Sequence, residues 1–275
     1  MEKSVTIQDE FTDTIRIALE GRPRAMEILL EKIQDYIFNL SLRMLWDPQE
    51  AEDATQEILL KISNKLSGFR FESKFTTWVY SIASNHLLTI KRPKNIVYLS
   101  RIRQEYLSKP NSISLEDQVE DKILEEEIRF GCVHAVLLKL NSADRIVFVL
   151  SSVYGMNSEE GAEILNISSE NFRQKLSRSK KKLSEFLSKE CGMWIDNNKA
   201  CPCIGLSGHL LNRNRDNVSF FTELKKLKKK SPNLEDSKVL EHLKELDRLA
   251  WIYKSQGIYE TPKDILEKLG PSSIP

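Results

Sequence analysis

Apolar residues three and four positions apart are the feature that most constrains this 275-residue chain. In the segment 26–44 they form one stripe along a helix, made of Met26, Leu29, Ile33, Ile37, Leu40 and Met44. The alternation that is typical of strands is almost absent, and glycine and proline are sparse, at 10 and 9 residues. The pattern therefore predicts an all-α protein.

Two further helices follow the first. Asp47 is a good N-cap for the second helix, and Pro48 suits its first position. Its expected inner face is Ala51, Ala54, Ile58, Ile62 and Leu66. The third helix is expected to end before Pro93 and to turn four side chains inward, namely Val79, Ile82, His86 and Ile90.

Changes in periodicity and composition divide the chain into five segments. We predict a three-helix unit (22–93), a linker (94–125), a second helical domain (126–189), an irregular segment with cysteines (190–217) and a small C-terminal helical extension (218–275).

The second helical domain contains the pattern of a helix-turn-helix. A short helix is expected at 158–165, followed by a turn in which Asn166 tolerates the left-handed conformation. Ser168 then suits the N-cap of a basic helix that begins at Ser169. A helix, a three-residue turn and a capped second helix are the parts of this motif.

The distribution of charge along the chain is more informative than the net charge, which is +1. Residues 171–182 hold six basic side chains and no acid, and residues 70–94 hold five basic side chains and one acid. A solvated face explains either run alone. Because one run lies on the second helix of a helix-turn-helix, binding to DNA at two places is the favoured interpretation.

Other functional classes find little support. No phosphate-binding loop, dinucleotide-binding glycine pattern, metalloprotease helix or nucleophile elbow is present, so we expect no enzyme. No apolar run approaches the roughly 20 residues that cross a bilayer, so no membrane insertion is expected. An acidic N-terminus without an apolar core and only four cysteines favour a cytoplasmic protein.

At this point the sequence resembles a known family, the extracytoplasmic-function group of bacterial sigma factors. AEDATQEILLKI and FTTWVYSIASNHLL resemble region 2 of that group, and LNSADRIVFVLSSVYGMNSEEGAEILNISSENFRQKLSRSKKKL resembles region 4. The resemblance implies a protein that binds core RNA polymerase and recruits it to the −35 and −10 elements of promoter DNA. It leaves room for an antagonist protein as a further partner.

The resemblance also suggests roles for individual residues. Docking on core polymerase is expected from the second helix, through Glu52, Asp53, Gln56 and Glu57. Contacts to −10 DNA are expected from Phe71, Ser73, Lys74, Thr76, Asn85 and Arg92. Contacts to −35 DNA are expected from Ser169, Glu170, Asn171, Arg173, Gln174, Arg178 and Lys181. The alternative explanation of this cluster is that acidic side chains near the start of a helix interact favourably with the helix dipole.

The loop before the third helix combines aromatic and basic side chains. The aromatic side chains, interleaved with Arg70 and Lys74, are Phe69, Phe71, Phe75, Trp78 and Tyr80. Opening a duplex costs stacking energy, which aromatic side chains offset by stacking on exposed bases. In the resembled family this loop captures an unpaired base of the −10 element. Phe75 and Trp78 could equally be core residues, and Phe75 is expected to lie largely in the core.

Two features leave alternatives open. Cys191, Cys201, Cys203 and His209 could bind zinc, form a redox-sensitive disulfide or serve as plain structural side chains. Gly161 stands where an apolar branched residue usually packs in the resembled family.

A stand-alone helix-turn-helix regulator with a C-terminal sensing unit is the rival function, but such a regulator has no use for region 2.

Overall fold

The computed structural model describes residues 7–91, 136–190, 261–262 and 265–266. Every regular element within these residues is helical, as the apolar spacing predicted. The described helices are α1 (Ile7–Leu19), α2 (Pro23–Leu45), α3 (Pro48–Lys65), α4 (Phe75–Thr89), α5 (Ser142–Phe148), α6 (Ser158–Leu165) and α7 (Ser169–Glu190). A 3₁₀ turn, Leu66–Gly68, continues α3, and a π-helical segment, Val149–Val153, continues α5.

The described residues belong to two compact units. The first holds 7–91 and 157–172 together with the described residues of 261–266, and the second holds 136–156 and 173–190. The predicted linker lies outside the described residues, and so do 191–217. The five boundaries drawn from the sequence stay predictions.

The core of the first unit is built on α2. All six residues of the predicted stripe are buried, and so are all five predicted inner residues of α3. Helix α1, which the sequence analysis did not predict, packs on α2 and buries Phe11 and Ile15. The α2–α3 joint follows the predicted capping chemistry, because the Asp47 carboxylate accepts hydrogen bonds from the backbone N–H groups of Gln49 and Glu50, both at 3.0 Å.

The predicted inner face of α4 was only partly right. Val79 is buried and the His86 side chain is 8% exposed, but Ile82 and Ile90 are only partly covered. The buried face consists instead of Phe75, Val79, Tyr80, Ala83, Ser84 and Leu87. Helix α4 packs against both α2 and α3, and close approach to two helices favours small side chains such as Ala83 and Ser84 at the contact. The predicted stripe of larger side chains has the same period as the buried face but lies partly on another side of the helix.

The helix-turn-helix has the predicted elements. Helix α6 begins at a capping box, in which the Asn157 side chain accepts from the N–H of Glu160 and the Glu160 carboxylate accepts from the N–H of Asn157. It ends at Asn166, whose φ of 51° is left-handed. The Ser168 hydroxyl accepts a hydrogen bond from the N–H of Asn171 at 3.2 Å, which caps α7 as expected.

In the second unit, a buried arginine and a buried carboxylate organise α5. Arg145 is 1% exposed, and its guanidinium donates to the carbonyl oxygens of Leu137 and Leu140. Asp144 receives the Lys182 ammonium at 2.8 Å, and the Ser179 hydroxyl donates to the Asp144 carbonyl oxygen. Helix α7 is thereby fastened to α5 along its Ser179–Lys182 turn.

Candidate functional site

The outer face of α3 carries the predicted polymerase-docking residues. Asp53 and Glu57 are exposed, and Glu52 and Gln56 are partly exposed. The buried residues of the same helix include Ala54, Ile58 and Ile62, on the face turned toward the core. The structure therefore places all four predicted side chains on or beside one solvent-accessible, acidic surface, where a cationic partner surface can reach them.

A hydrogen-bonded cluster borders this acidic surface on the side of α4. The Lys61 ammonium donates to Nδ1 of His86 at 2.5 Å, and Nε2 of His86 lies 3.6 Å from the Glu57 carboxylate. The His86 side chain is 8% exposed. Burial lowers the pKa of His86 below its ordinary value of 6.5, the Lys61 charge lowers the pKa further, and the Glu57 charge opposes both.

The loop between α3 and α4 presents one aromatic side chain to solvent. Phe71 is 44% exposed and has a φ of 57°, a left-handed conformation that is uncommon for a bulky residue. Its ring packs on that of Phe69, with centroids 4.8 Å apart, and Phe69 in turn contacts Phe75 and Trp78. Phe75 is buried, as expected. The buried rings form a base from which Phe71 projects.

A pocket of about 470 Å³ opens next to this aromatic cluster, a size within the usual range for small-molecule pockets. Its walls are Lys65, Ser67, Gly68, Trp78, Ser81, Ile82 and Asn85. Trp78 contacts Phe69, which connects the pocket to the ring system that supports Phe71. The structure thus joins the predicted residue Asn85 to an indole ring, hydroxyl groups and an ammonium group, which are suitable partners for a heterocyclic base.

The remaining −10 candidates lie at the start of α4. Ser73 and Thr76 are partly exposed, and Lys74 is exposed. The Lys74 ammonium lies 3.6 Å from the carboxylate of Glu160 in α6, which packs against α4 within the first unit. Pairing with Glu160 and pairing with a phosphate are competing uses of the same ammonium group. Arg92 lies outside the described residues.

The predicted −35 residues lie along the exposed side of α7. Glu170, Asn171, Arg173, Gln174, Arg178 and Lys181 are exposed, and Ser169 is partly exposed. Phe172, Ser179, Leu183 and Leu187 are buried on the opposite side. The helix therefore separates its exposed polar and cationic side chains from its packing residues, an arrangement that a helix in a groove of DNA requires.

Lys182 differs from the other lysines of this run. It is half exposed, yet its ammonium is held at 2.8 Å by the Asp144 carboxylate, which is 6% exposed. Lys181 has a looser partner in Glu185, at 3.9 Å, and both of these side chains are largely exposed. The ammonium of Lys182 is therefore engaged in an ion pair within the second unit.

A groove of about 660 Å³ runs along α7 between Arg173 and Ser188. Its lining residues are Arg173, Leu176, Ser177, Lys180, Lys181, Ser184, Glu185 and Ser188. Cations and hydroxyl groups in one groove are typical donors to the phosphate and sugar of a nucleic acid backbone.

Two further expectations from the sequence concern metal binding and membrane insertion. Cys191, Cys201, Cys203 and His209 lie outside the described residues, and within the described part of the chain no three metal-binding side chains come together. Nor does any described helix have the length and apolar character to cross a membrane.

Some site residues were not predicted from the sequence. Lys65 and Ser67 enter the site only because the end of α3 and the following turn line the same pocket as α4. Lys61 and His86 are 25 positions apart, and no local pattern joins them. Glu160 did have a signal, because an Asn three residues before a Glu is the spacing of a capping box.

Family models match the chain in both of its predicted DNA-binding parts. The model described as Sigma-70 region 2 matches residues 29–95, and the model described as Sigma-70, region 4 matches residues 130–183. The two matches have the order that the sequence motifs predicted.

Known proteins similar to this chain are also named as sigma factors. The RNA polymerase sigma-H factor of Pseudomonas aeruginosa is 26% identical over 66% of this chain and 95% of its own length. The ECF RNA polymerase sigma factor SigW of Bacillus subtilis is 28% identical over 63% of this chain and 94% of its own length. A solved structure, CnrH in complex with the cytosolic domain of CnrY, is 20% identical over 64% of this chain and 96% of that one, with a TM-score of 0.47.

Proposed function

Since the chain belongs to the sigma-70 family as a sigma factor of the extracytoplasmic-function type, we propose that separate described surfaces carry out the steps of promoter-specific initiation. Sigma factors bind core RNA polymerase and direct it to promoter DNA. In the proposal, the acidic face of α3 docks on the polymerase, the loop between α3 and α4 opens and holds the −10 element, and α7 reads the −35 element.

The observation that carries the proposal is the exposed Phe71 beside an open pocket. A left-handed backbone at a bulky residue costs roughly 1–3 kcal/mol, and such strain is concentrated at functional sites. Stacking of an aromatic ring on a base offsets part of the energy of unstacking a duplex. We assign Phe71 to stacking on a −10 base and the pocket that contains Asn85 to holding an extruded base.

Helix α7 is assigned to the major groove. Arg173 is the proposed base reader, because it is exposed near the N-terminal end of the helix and its guanidinium can bind a guanine with two hydrogen bonds. Arg178 and Lys181 are assigned to phosphates, which set affinity rather than sequence preference.

The proposal includes no catalytic step in this chain, because phosphodiester synthesis belongs to the core polymerase and sigma factors are non-enzymatic initiation factors. It also includes a cytoplasmic location, where the polymerase acts. A stand-alone helix-turn-helix regulator is not favoured, because a match to region 2 has no place in it. An antagonist protein stays a prediction.

Run-off transcription with core polymerase tests the assignment of Phe71. Two templates are compared, a fully paired promoter and the same promoter with an unpaired −10 region. Phe71→Ala is expected to lower initiation on the paired promoter about tenfold, since one base–aromatic stack contributes about 1–3 kcal/mol, and much less on the unpaired promoter.

Leu19→Ala is the matched control, because Leu19 is also an exposed apolar side chain, at 41%, but lies on α1. It is expected to leave initiation on both templates unchanged. Equal loss on the paired and unpaired promoters for Phe71→Ala would contradict a role in opening the duplex.

A further inference from the structure

The Lys61 ammonium lies between two groups that can accept it. On its own helix, the Glu57 carboxylate is 3.9 Å away, one helical turn earlier. On α4, Nδ1 of His86 is 2.5 Å away and accepts its hydrogen bond. The ammonium therefore makes its close contact with the imidazole and only a loose contact with the carboxylate.

The close contact of Lys61 with His86 rather than with Glu57 is not what the sequence of α3 predicts. A Glu four residues before a Lys on an exposed helix is the favoured order for a direct ion pair. The side chains of Glu57 and Lys61 are 63% and 44% exposed, so both have the freedom to close that pair. The imidazole, which is 8% exposed and fixed between α3 and α4, competes successfully for the ammonium group.

We propose that His86 is a positioning residue for polymerase docking, which holds the Lys61 ammonium away from Glu57 and so leaves the Glu57 carboxylate available to the polymerase. The inference rests on the proposed docking role of α3 and adds a residue from a different helix to it. His86 makes no contact with the polymerase in this arrangement and acts only through Lys61 and Glu57.

The protonation state of His86 controls this arrangement. Among the described residues, the charged groups that act on the imidazole are Lys61 and Glu57 of α3. A neutral imidazole accepts from Lys61 at Nδ1 and turns its Nε2–H toward Glu57. A protonated imidazole carries hydrogens on both nitrogens, releases Lys61 toward Glu57 and adds its own positive charge beside the carboxylate. Docking should therefore weaken in acid.

Four variants of the full-length chain test the inference by their affinity for core polymerase at pH 7.5. His86→Leu removes the acceptor, so Lys61 closes on Glu57 and affinity is expected to fall about two- to fivefold, the range for one exposed charge pair. Lys61→Met alone is expected to leave affinity unchanged. Lys61→Met combined with His86→Leu is expected to restore it. Glu57→Gln measures what the carboxylate contributes.

A conservative variant provides the pH readout. The amide oxygen of His86→Gln can still accept from Lys61 but does not titrate. It is expected to match the parent at pH 7.5 and to bind more tightly than the parent at pH 5.5. Thermal melting of each variant shows whether it is folded, and His86→Gln and Lys61→Met remain informative if His86→Leu is not.

The outcomes distinguish a failure of the docking role of Glu57 from a failure of the positioning role of His86. If Glu57→Gln binds polymerase like the parent, the proposed docking role of this carboxylate is wrong. If Glu57→Gln weakens binding but the double variant is as weak as His86→Leu alone, Glu57 docks and His86 has only a packing role. If His86→Gln follows the same pH profile as the parent, the positioning role is also overturned.

Discussion

At the scale of single residues, the Phe172 ring fills the space that a side chain at position 161 would need. A Cβ placed on Gly161 would lie 2.3 Å from Cε2 and Cζ of the Phe172 ring, which is fully buried. The absence of a branched side chain at position 161 is thus matched by an aromatic ring from α7. The glycine costs α6 about 1 kcal/mol relative to alanine, and the buried ring takes the place of the missing side chain.

Gly161→Ala is accordingly expected to destabilise the protein despite the higher helix propensity of alanine. The overpacking should lower the free energy of unfolding by about 1–3 kcal/mol, measured by urea denaturation. Combining it with Phe172→Leu should recover part of this loss. Glu163→Ala, at an exposed position of α6, is the control and should be neutral. A Gly161→Ala protein more stable than the parent would show that Phe172 moves aside freely.

His86 gives stability a pH dependence of known sign. Its pKa in the folded protein is lowered from 6.5, so between these two pKa values the unfolded chain binds more protons than the folded one. The free energy of unfolding must then fall as pH falls through about 6.5, and above that range the residue contributes no slope. The parent should lose more stability than His86→Gln between pH 7.5 and pH 5.5 in urea titrations. Parallel losses in both proteins would contradict the lowered pKa.

At the scale of helices, local chemistry allowed the boundaries to be predicted and tertiary packing limited the rest. Helix α6 begins and ends where its sequence predicts, because Asn157, Asn166 and Ser168 act on neighbouring backbone groups. The inner face of α4 was only partly predicted, because two stripes of equal period compete and only contact with neighbouring helices decides between them.

The same distinction applies to the candidate site. Exposed positions on α3 and α7 follow directly from the helical period, so most of the predicted docking and −35 residues do lie on accessible surfaces. The pocket beside Phe71 and the Lys61–His86 contact depend on how a loop and two helices meet, which no spacing within one segment reveals.

Neighbouring lysines of α7 should differ in what their removal does. Lys181→Ala is expected to weaken binding to all promoter sequences by a similar factor and to lessen the salt dependence, as the loss of a phosphate contact does. Lys182→Ala should mainly destabilise the fold, because it leaves the buried Asp144 carboxylate without its cationic partner. DNA binding across a sequence library and urea denaturation, run on both variants, separate the two effects. Equal behaviour of the two variants in both measurements would contradict the assignment.

At the scale of the whole molecule, residues far apart in the sequence share the first unit. The Thr261 hydroxyl donates a hydrogen bond to the Asp35 carboxylate of α2, across 226 positions of the sequence. Ile265, four residues later, is fully buried, and its N–H donates to the carbonyl oxygen of Pro262. The predicted C-terminal extension therefore reaches the domain that the family model identifies as region 2.

This contact makes the stability of the first unit depend on the end of the sequence. Ile265→Ala should lower the free energy of unfolding by about 2–5 kcal/mol, because it leaves a cavity in a closed environment. It should also speed amide hydrogen exchange in α2 around Asp35, since the neighbouring hydrogen bond loses its anchor. Leu266→Ala is the matched control, because this side chain is only partly buried and the change should cost less. If the two variants unfold at the same urea concentration and α2 exchanges as in the parent, Ile265 does not secure the extension to region 2.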